Sequence, residues 1–199
     1  MLRRGFFVAG TVAGIVATHA ARAETIVTFS DPAAGPGTPV FSYSNNTLTG
    51  GWELPGLTLQ TPGLFNVSYS NATFTMTSLT TMSDLGPVQI MSGGEISFFD
   101  ALHNPLLTLD FSSATLSGPL SLGSSDFVGN NVTFSGPLLN GATVTNEAFA
   151  FAFANPVGTT SSFTVTSSFT SSGDATLPGP SSASLLVAGG LMLTRRRNR

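Results

Sequence analysis

The sequence of 199 residues lacks cysteine and lysine, and only 9% of its residues are charged. Without cysteine it has no disulfide framework, no thiol nucleophile and no cysteine-ligated zinc. All seven basic residues are arginines, and none lies within residues 24–194, the span that holds all ten acidic residues. The side-chain charge of that span is therefore −10 with histidine neutral. Nucleic-acid binders and nucleotide enzymes hold phosphates with lysine or arginine, so both classes are excluded and no nucleic-acid partner is expected.

The N-terminal segment has the layout of a secretory signal peptide over residues 1–23. Arg3 and Arg4 form a positive start, and residues 6–17 are mostly apolar. This apolar run, about 12 residues, is short of the roughly 20 that a spanning helix needs, which favours a cleaved helical signal over a permanent anchor. The paired arginines leave both the general and the twin-arginine export routes open. The residues around the predicted cleavage point are Ala21, Ala23 and Glu24.

The C-terminal segment combines a chain breaker, an apolar stretch and a basic end. Its breaker is Pro178, Gly179 and Pro180, residues 183–193 are small or apolar except Ser184, and its basic residues are Arg195, Arg196, Arg197 and Arg199. Cations after an apolar stretch remain on the cytoplasmic side of a membrane. A helix of about 11 residues covers roughly 17 Å of a hydrocarbon core of about 30 Å, so the tail suits transient membrane contact. The alternative is a frayed apolar strand with a basic end.

This C-terminal layout resembles the PEP-CTERM sorting signal, in which a Pro-Glu-Pro motif precedes an apolar helix and an arginine cluster. Pro178 and Pro180 match the two prolines, whereas Gly179 stands where the family has glutamate. The resemblance implies a bacterial protein whose tail is recognised and removed by an exosortase-type membrane protease. It further implies delivery to the outer surface or extracellular matrix, with exopolysaccharide as a partner.

The middle of the chain has the period-two pattern of half-buried strands. Hydroxyl and apolar residues alternate in segments such as 73–77, 107–111 and 163–166, and Gly/Pro pairs punctuate them. Residues 148–154 alternate phenylalanine with alanine, which predicts a central strand with one thick aromatic face and one thin face. We expect an all-β fold, an antiparallel β-sandwich of the jelly-roll type with about ten strands.

The predicted domain boundaries follow from these segments. The sandwich covers residues 24–172. Residues 159–176 are rich in serine, threonine and glycine, so the end of this segment is predicted to be a spacer between the domain and the tail. A linker over 173–182 carries the Pro-Gly-Pro motif, a short apolar helix covers 183–194, and the basic stop covers 195–199.

Catalytic residues are hard to identify in this composition. The one histidine after the signal, His103, could form a triad with Asp100 or Asp110, but the sequence has no Gly-x-Ser-x-Gly elbow, so a solvated loop residue is predicted. Glycoside hydrolysis needs two carboxylates about 5–10 Å apart. The candidates for such a pair are Glu53, Glu95 and Glu147.

The sequence offers two candidate ligand sites. Asp126, Asn130 and Asn131 predict an acidic, amide-rich loop that offers hard oxygens to a structural calcium ion, and no other cofactor is expected. Trp52 and Glu53 could hold a sugar by stacking and hydrogen bonding, although a partly buried tryptophan at a strand edge is the plainer interpretation.

The leading functional hypothesis is an exported, non-enzymatic surface or matrix protein associated with exopolysaccharide. A carbohydrate-binding module is the first alternative, and a secreted hydrolase using Asp or Glu is the second.

Overall fold

The computed structural model describes residues 23–118 and 125–178, which form antiparallel strands and one short 3₁₀ turn. The predicted signal up to Arg22 and the sorting segment from Gly179 onward, with Ala21, Pro180, Arg195, Arg196, Arg197 and Arg199, lie outside these residues. No helix in the described ranges is long and apolar enough to cross a membrane. The strands are β1 (Glu24–Phe29), β2 (Phe41–Ser44), β3 (Thr47–Trp52), β4 (Thr58–Gln60), β5 (Ser68–Ser70), β6 (Thr73–Met76), β7 (Leu79–Asp84), β8 (Val88–Phe99), β9 (Pro105–Ser117), β10 (Asp126–Asn130), β11 (Thr133–Ser135), β12 (Thr143–Thr159) and β13 (Ser162–Thr176).

Eight of these strands close into a barrel. Their order is β12-β10-β9-β8-β6-β3-β2-β13, and the ring closes because β13 also pairs with β12. Strands β1, β4 and β5 extend the sheet from β13, while β7 and β11 pair with ring strands. The all-β antiparallel prediction is confirmed. The two-sheet sandwich is replaced by one continuous sheet, since closure leaves the ring without an open edge.

Phenylalanine fills the interior of the barrel. Phe149 and Phe151 of β12 are buried as predicted, whereas the alanine face of this strand is exposed or half-buried, so only its aromatic face lies in the core. An eight-stranded barrel is just wide enough for side chains to fill. The rings that meet inside it are those of Phe29, Phe41, Phe74, Phe98, Phe127, Phe149, Phe151 and Phe169.

The predicted spacer is wrong, because residues 162–176 form one of the longest strands. Phe163, Val165 and Phe169 alternate into the core, and the buried Ser171 shares their face. The Ser171 hydroxyl accepts the backbone N–H of Val27 at 3.0 Å and donates to its carbonyl oxygen at 3.1 Å, at the irregular step in β1. The serine content that suggested a tether therefore supplies hydrogen bonds to buried backbone groups.

Both ends of the described chain leave the barrel on one side. Glu24, the first residue of β1, pairs with Gly173, and Thr176, the last residue of β13, pairs with Thr143. Because neighbouring strands around the ring are antiparallel, the ends of β3 and β8 and the starts of β6 and β9 lie at this same end of the barrel.

Candidate functional site

A small surface pocket forms where three adjacent strands reach this end of the barrel. Trp52 of β3 pairs with Phe74 of β6, and Thr73, the residue before Phe74, pairs with Phe99 of β8. Trp52 and Phe74 point inward and are buried. Side chains alternate along a strand, so Thr73 and Phe99 point outward beside Glu53, which directly follows Trp52.

The pocket is lined by Glu53, Thr73, Thr75, Phe99 and His103 and has a volume of about 200 Å³. It is smaller than the roughly 300–1,000 Å³ that enclose a drug-sized ligand, so it suits one unit of a longer chain. Its walls carry a carboxylate, an imidazole, two hydroxyls and a half-buried aromatic ring. These groups can bind a polar ring through hydrogen bonds and stacking.

His103 reaches the pocket from a tight turn that Asp100 holds. The Asp100 carboxylate accepts the backbone N–H groups of Leu102 at 2.8 Å and Asn104 at 2.9 Å, and the Asn104 side-chain amide at 2.8 Å. His103 Nδ1 lies 3.5 Å from the Thr73 hydroxyl oxygen, and its ring lies edge-on to Phe99 with centroids 6.4 Å apart. The predicted loop position is confirmed, and the Asp100 carboxylate is bonded to the turn.

The backbone of His103 is left-handed, with φ of 61°. Among the described residues, nine other than glycine have positive φ, and the remaining eight are asparagine. Asparagine tolerates this conformation better than most residues, and histidine is also enriched there. At position 103 the chain thus has histidine where its other left-handed positions have asparagine. This histidine places an imidazole in the pocket.

The Asp100 turn should weaken in acid. The Asn104 side-chain amide, followed by the Asn104 and Leu102 backbone N–H groups, lowers the pKa of Asp100 below its ordinary value of 3.8. A lowered pKa means that the carboxylate supports the turn above pH 3.8 and that this support is lost as pH falls through the lowered value. Amide NMR shifts of Leu102 and Asn104 should report a midpoint below 3.8 in wild type and no such step in Asp100→Asn. A midpoint at or above 3.8 would contradict the hydrogen-bonding argument.

A row of hydroxyls leads away from the pocket across the outer face of the sheet. The pairs Thr75 with Ser97, Ser97 with Thr108, and Thr108 with Ser135 place these four side chains in register on β6, β8, β9 and β11. Strands lie about 4.8 Å apart, so the row is about 14 Å long. We call these four residues the hydroxyl row.

Two carboxylates flank the hydroxyl row. Glu95 of β8 pairs with Asp110 of β9, and both side chains are exposed. A Glu95 carboxylate oxygen accepts the Ser97 hydroxyl at 2.6 Å. Directly opposite residues have Cβ atoms roughly 5 Å apart, so these like charges face each other on the open surface.

The structure separates the predicted sugar-binding pair of Trp52 and Glu53. Trp52 is only 5% exposed and packs in the core, where it borders a separate pocket formed by residues 32–38, whereas Glu53 is exposed and lines the pocket with His103. The aromatic partner of Glu53 in the pocket is Phe99. A strand with two adjacent phenylalanines, Phe98 and Phe99, must turn one of them outward, and this signal could have identified the site.

The predicted calcium ligands also lie apart. Asp126 begins β10 and Asn130 ends it, so about 13 Å of strand separates them. The side-chain amides of Asn130 and Asn131 donate to Ser113 and Ser112. The predicted loop is wrong for residues 126–130, which form a strand that pairs with β9 and β12, and Asn131 directly follows this strand. The described residues contain no group of three or more acidic or histidine side chains that could hold a metal ion.

The three candidate hydrolase carboxylates are distributed around the barrel. Glu53 is in the pocket, Glu95 is on the outer face of β8, and Glu147 is on β12, which is diametrically opposite β6 in the ring. The geometry brings Glu53 to His103 and Glu95 to Asp110, pairings that the sequence did not indicate.

Comparison with known proteins adds no relative to this description. No protein-family model, curated protein or solved structure matches the chain.

Proposed function

We propose that the protein is an exported, non-enzymatic surface or matrix protein, sorted by a PEP-CTERM-like tail and associated with exopolysaccharide. Its processing partner would be an exosortase-type protease, and its membrane contact would be transient and confined to the tail.

The observation that carries this proposal is where the barrel begins and ends. Strand β1 starts at Glu24, the residue at which the mature chain would begin. Strand β13 ends at Thr176, two residues before Pro178. Removal of both terminal segments at the proposed points would leave all thirteen strands of the described residues intact, as expected if these segments serve for addressing only.

The barrel surface supports an extracellular polysaccharide environment. Residues 24–178 contain no lysine or arginine, and outward positions on β6 and β9 are mostly threonine and serine. Such a surface is hydrated and mildly acidic, and hydroxyls can exchange hydrogen bonds with a glycan.

Processing can be tested in the native host by intact mass and cell fractionation. We expect a mature mass that begins at Glu24 and ends within residues 178–182. Replacing Arg195, Arg196 and Arg197 with serine should remove the stop signal and release the protein to the medium without retention. Replacement of the same three residues with lysine keeps the charge and serves as the control. Wild-type localisation of the serine variant would contradict the proposal, as would a mature wild-type protein that retains Arg199.

A second candidate function is carbohydrate binding, and the pocket of Glu53, Phe99 and His103 favours it. It is compatible with the first, because a matrix protein can hold its glycan through one defined site.

A further inference from the structure

The geometry points to a docking site for an amino-sugar polysaccharide, with one sugar unit in the pocket and the chain lying along the hydroxyl row. This inference rests on the proposed association with exopolysaccharide and names its chemical class. The probe chemistry is a β-linked glucosamine oligomer, which carries an amine on each ring that is an ammonium group in mildly acidic buffer.

The pocket combines the two groups that recognise an ammonium next to a ring. Glu53 is exposed and supplies a carboxylate, and Phe99 supplies a half-buried ring in the same pocket. A carboxylate forms a charge-assisted hydrogen bond with an ammonium group, and an aromatic face attracts a cation within about 6 Å. The exposed Thr75 hydroxyl and the His103 imidazole remain for the sugar hydroxyls, and the buried Thr73 hydroxyl lies 3.5 Å from His103 Nδ1.

The direction of the chain follows from the register. Thr75 belongs both to the pocket and to the hydroxyl row, which continues over Ser97 and Thr108. Gly51 of β3 pairs with Thr75 of β6. Because glycine has no side chain, no side chain projects from the surface at this position beside the pocket. An extended chain can therefore lie across the strands without meeting a bulky side chain at this position.

The acidic charge of the pocket and the hydroxyl row favours a cationic polysaccharide. Glu53 lies at the start of the row, and Glu95 and Asp110 flank its middle. Since residues 24–178 carry ten acidic and no basic residues, an anionic glycan would be repelled and a cationic one attracted. A chain with amino groups would also relieve the repulsion between Glu95 and Asp110.

The site is tested by calorimetric titration of the purified full chain with four hexamers: glucosamine, N-acetylglucosamine, glucose and galacturonate. We expect the glucosamine hexamer to bind about tenfold more tightly than the two neutral hexamers, and the galacturonate hexamer to bind most weakly. Glu53→Gln should weaken glucosamine binding about tenfold and reduce its preference over the glucose hexamer.

Glu147→Gln is the matched control, because it removes the same charge on the opposite side of the ring. Its affinity for the glucosamine hexamer should stay within about twofold of wild type, since the charge at a distance is screened by salt. Equal losses in both variants would show attraction to net charge alone and would overturn the site.

His103→Asn isolates the imidazole from its turn. Asparagine suits the left-handed backbone, so we expect thermal stability to be retained while glucosamine hexamer binding weakens. Phe99→Ala should lower the affinity for every hexamer that binds. Unchanged binding in both variants would overturn the pocket as the point of contact.

The outcomes separate this inference from the proposed function. If the glucose hexamer binds as tightly as the glucosamine hexamer and both depend on Phe99, the amino-sugar class is wrong and polysaccharide association stands. If none of the four hexamers binds, both the docking site and the association with these glycan classes are contradicted.

Discussion

Replacement of Phe151 with alanine should lower the free energy of unfolding by about 3–5 kcal/mol, the range measured for large aromatic side chains deleted from cores. The Phe151 ring is fully buried. Its centroid lies 4.7 Å from that of Phe169 and 4.9 Å from that of Phe41. Further phenylalanine rings contact it within the barrel. Side chains of several strands would therefore have to move to fill the cavity that the substitution leaves. Because a domain of this kind is stable by about 5–15 kcal/mol, the loss is a large share of the total.

The matched control is Phe153→Ala, two residues further along β12. Phe153 points to the same face but is only half-buried, and we expect its replacement to cost less than half as much. Phe65→Ala removes a phenylalanine that is 41% exposed and should change stability by about 0.5 kcal/mol or less. Urea denaturation followed by circular dichroism measures all three variants. Equal costs for Phe151 and Phe153 would contradict the argument that the depth of burial sets the cost.

These phenylalanines also show how far the sequence predicts the fold. The alternation of phenylalanine with alanine over 148–154 gave both the strand and its core-facing residues. Barrel closure could not be predicted in this way, because alternation reports the inward face of each strand and is the same in a sandwich and in a barrel. The closing contact joins β12 to β13, and composition had assigned the end of β13 to a spacer.

The candidate site shows a second limit of prediction from the sequence. The sequence identified Glu53 and His103 separately, but their meeting depends on the registers of β3 with β6 and of β6 with β8. A shift of one residue in either register would exchange the faces of the paired side chains. Sequence adjacency suggests Trp52 as the aromatic partner of Glu53, yet adjacent residues of an extended chain place their side chains on opposite faces.

A chain that ends at Pro178 should fold with the stability of the full barrel, whereas a chain that ends at residue 172 should lose about 3–5 kcal/mol. The shorter chain lacks the strand positions of Gly173, Asp174, Ala175 and Thr176, which pair with Glu24, Thr145, Val144 and Thr143. Each lost backbone hydrogen bond costs about 1 kcal/mol. It also lacks the bond from the Asn146 amide to Asp174, at 2.6 Å.

The two chains differ by only six residues, so a comparison of their urea midpoints isolates the end of β13. Equal midpoints would mean that residues 173–176 act as the tether that their composition suggested. The expected difference also restricts processing, because a protease that cuts at the proposed motif has Leu177 alone between Thr176 and Pro178. A cut N-terminal to Thr176 would open the pairing of β13 with β12, which is the seam of the barrel. The proposed sorting motif therefore lies one residue beyond the last strand, where its removal would leave the barrel intact.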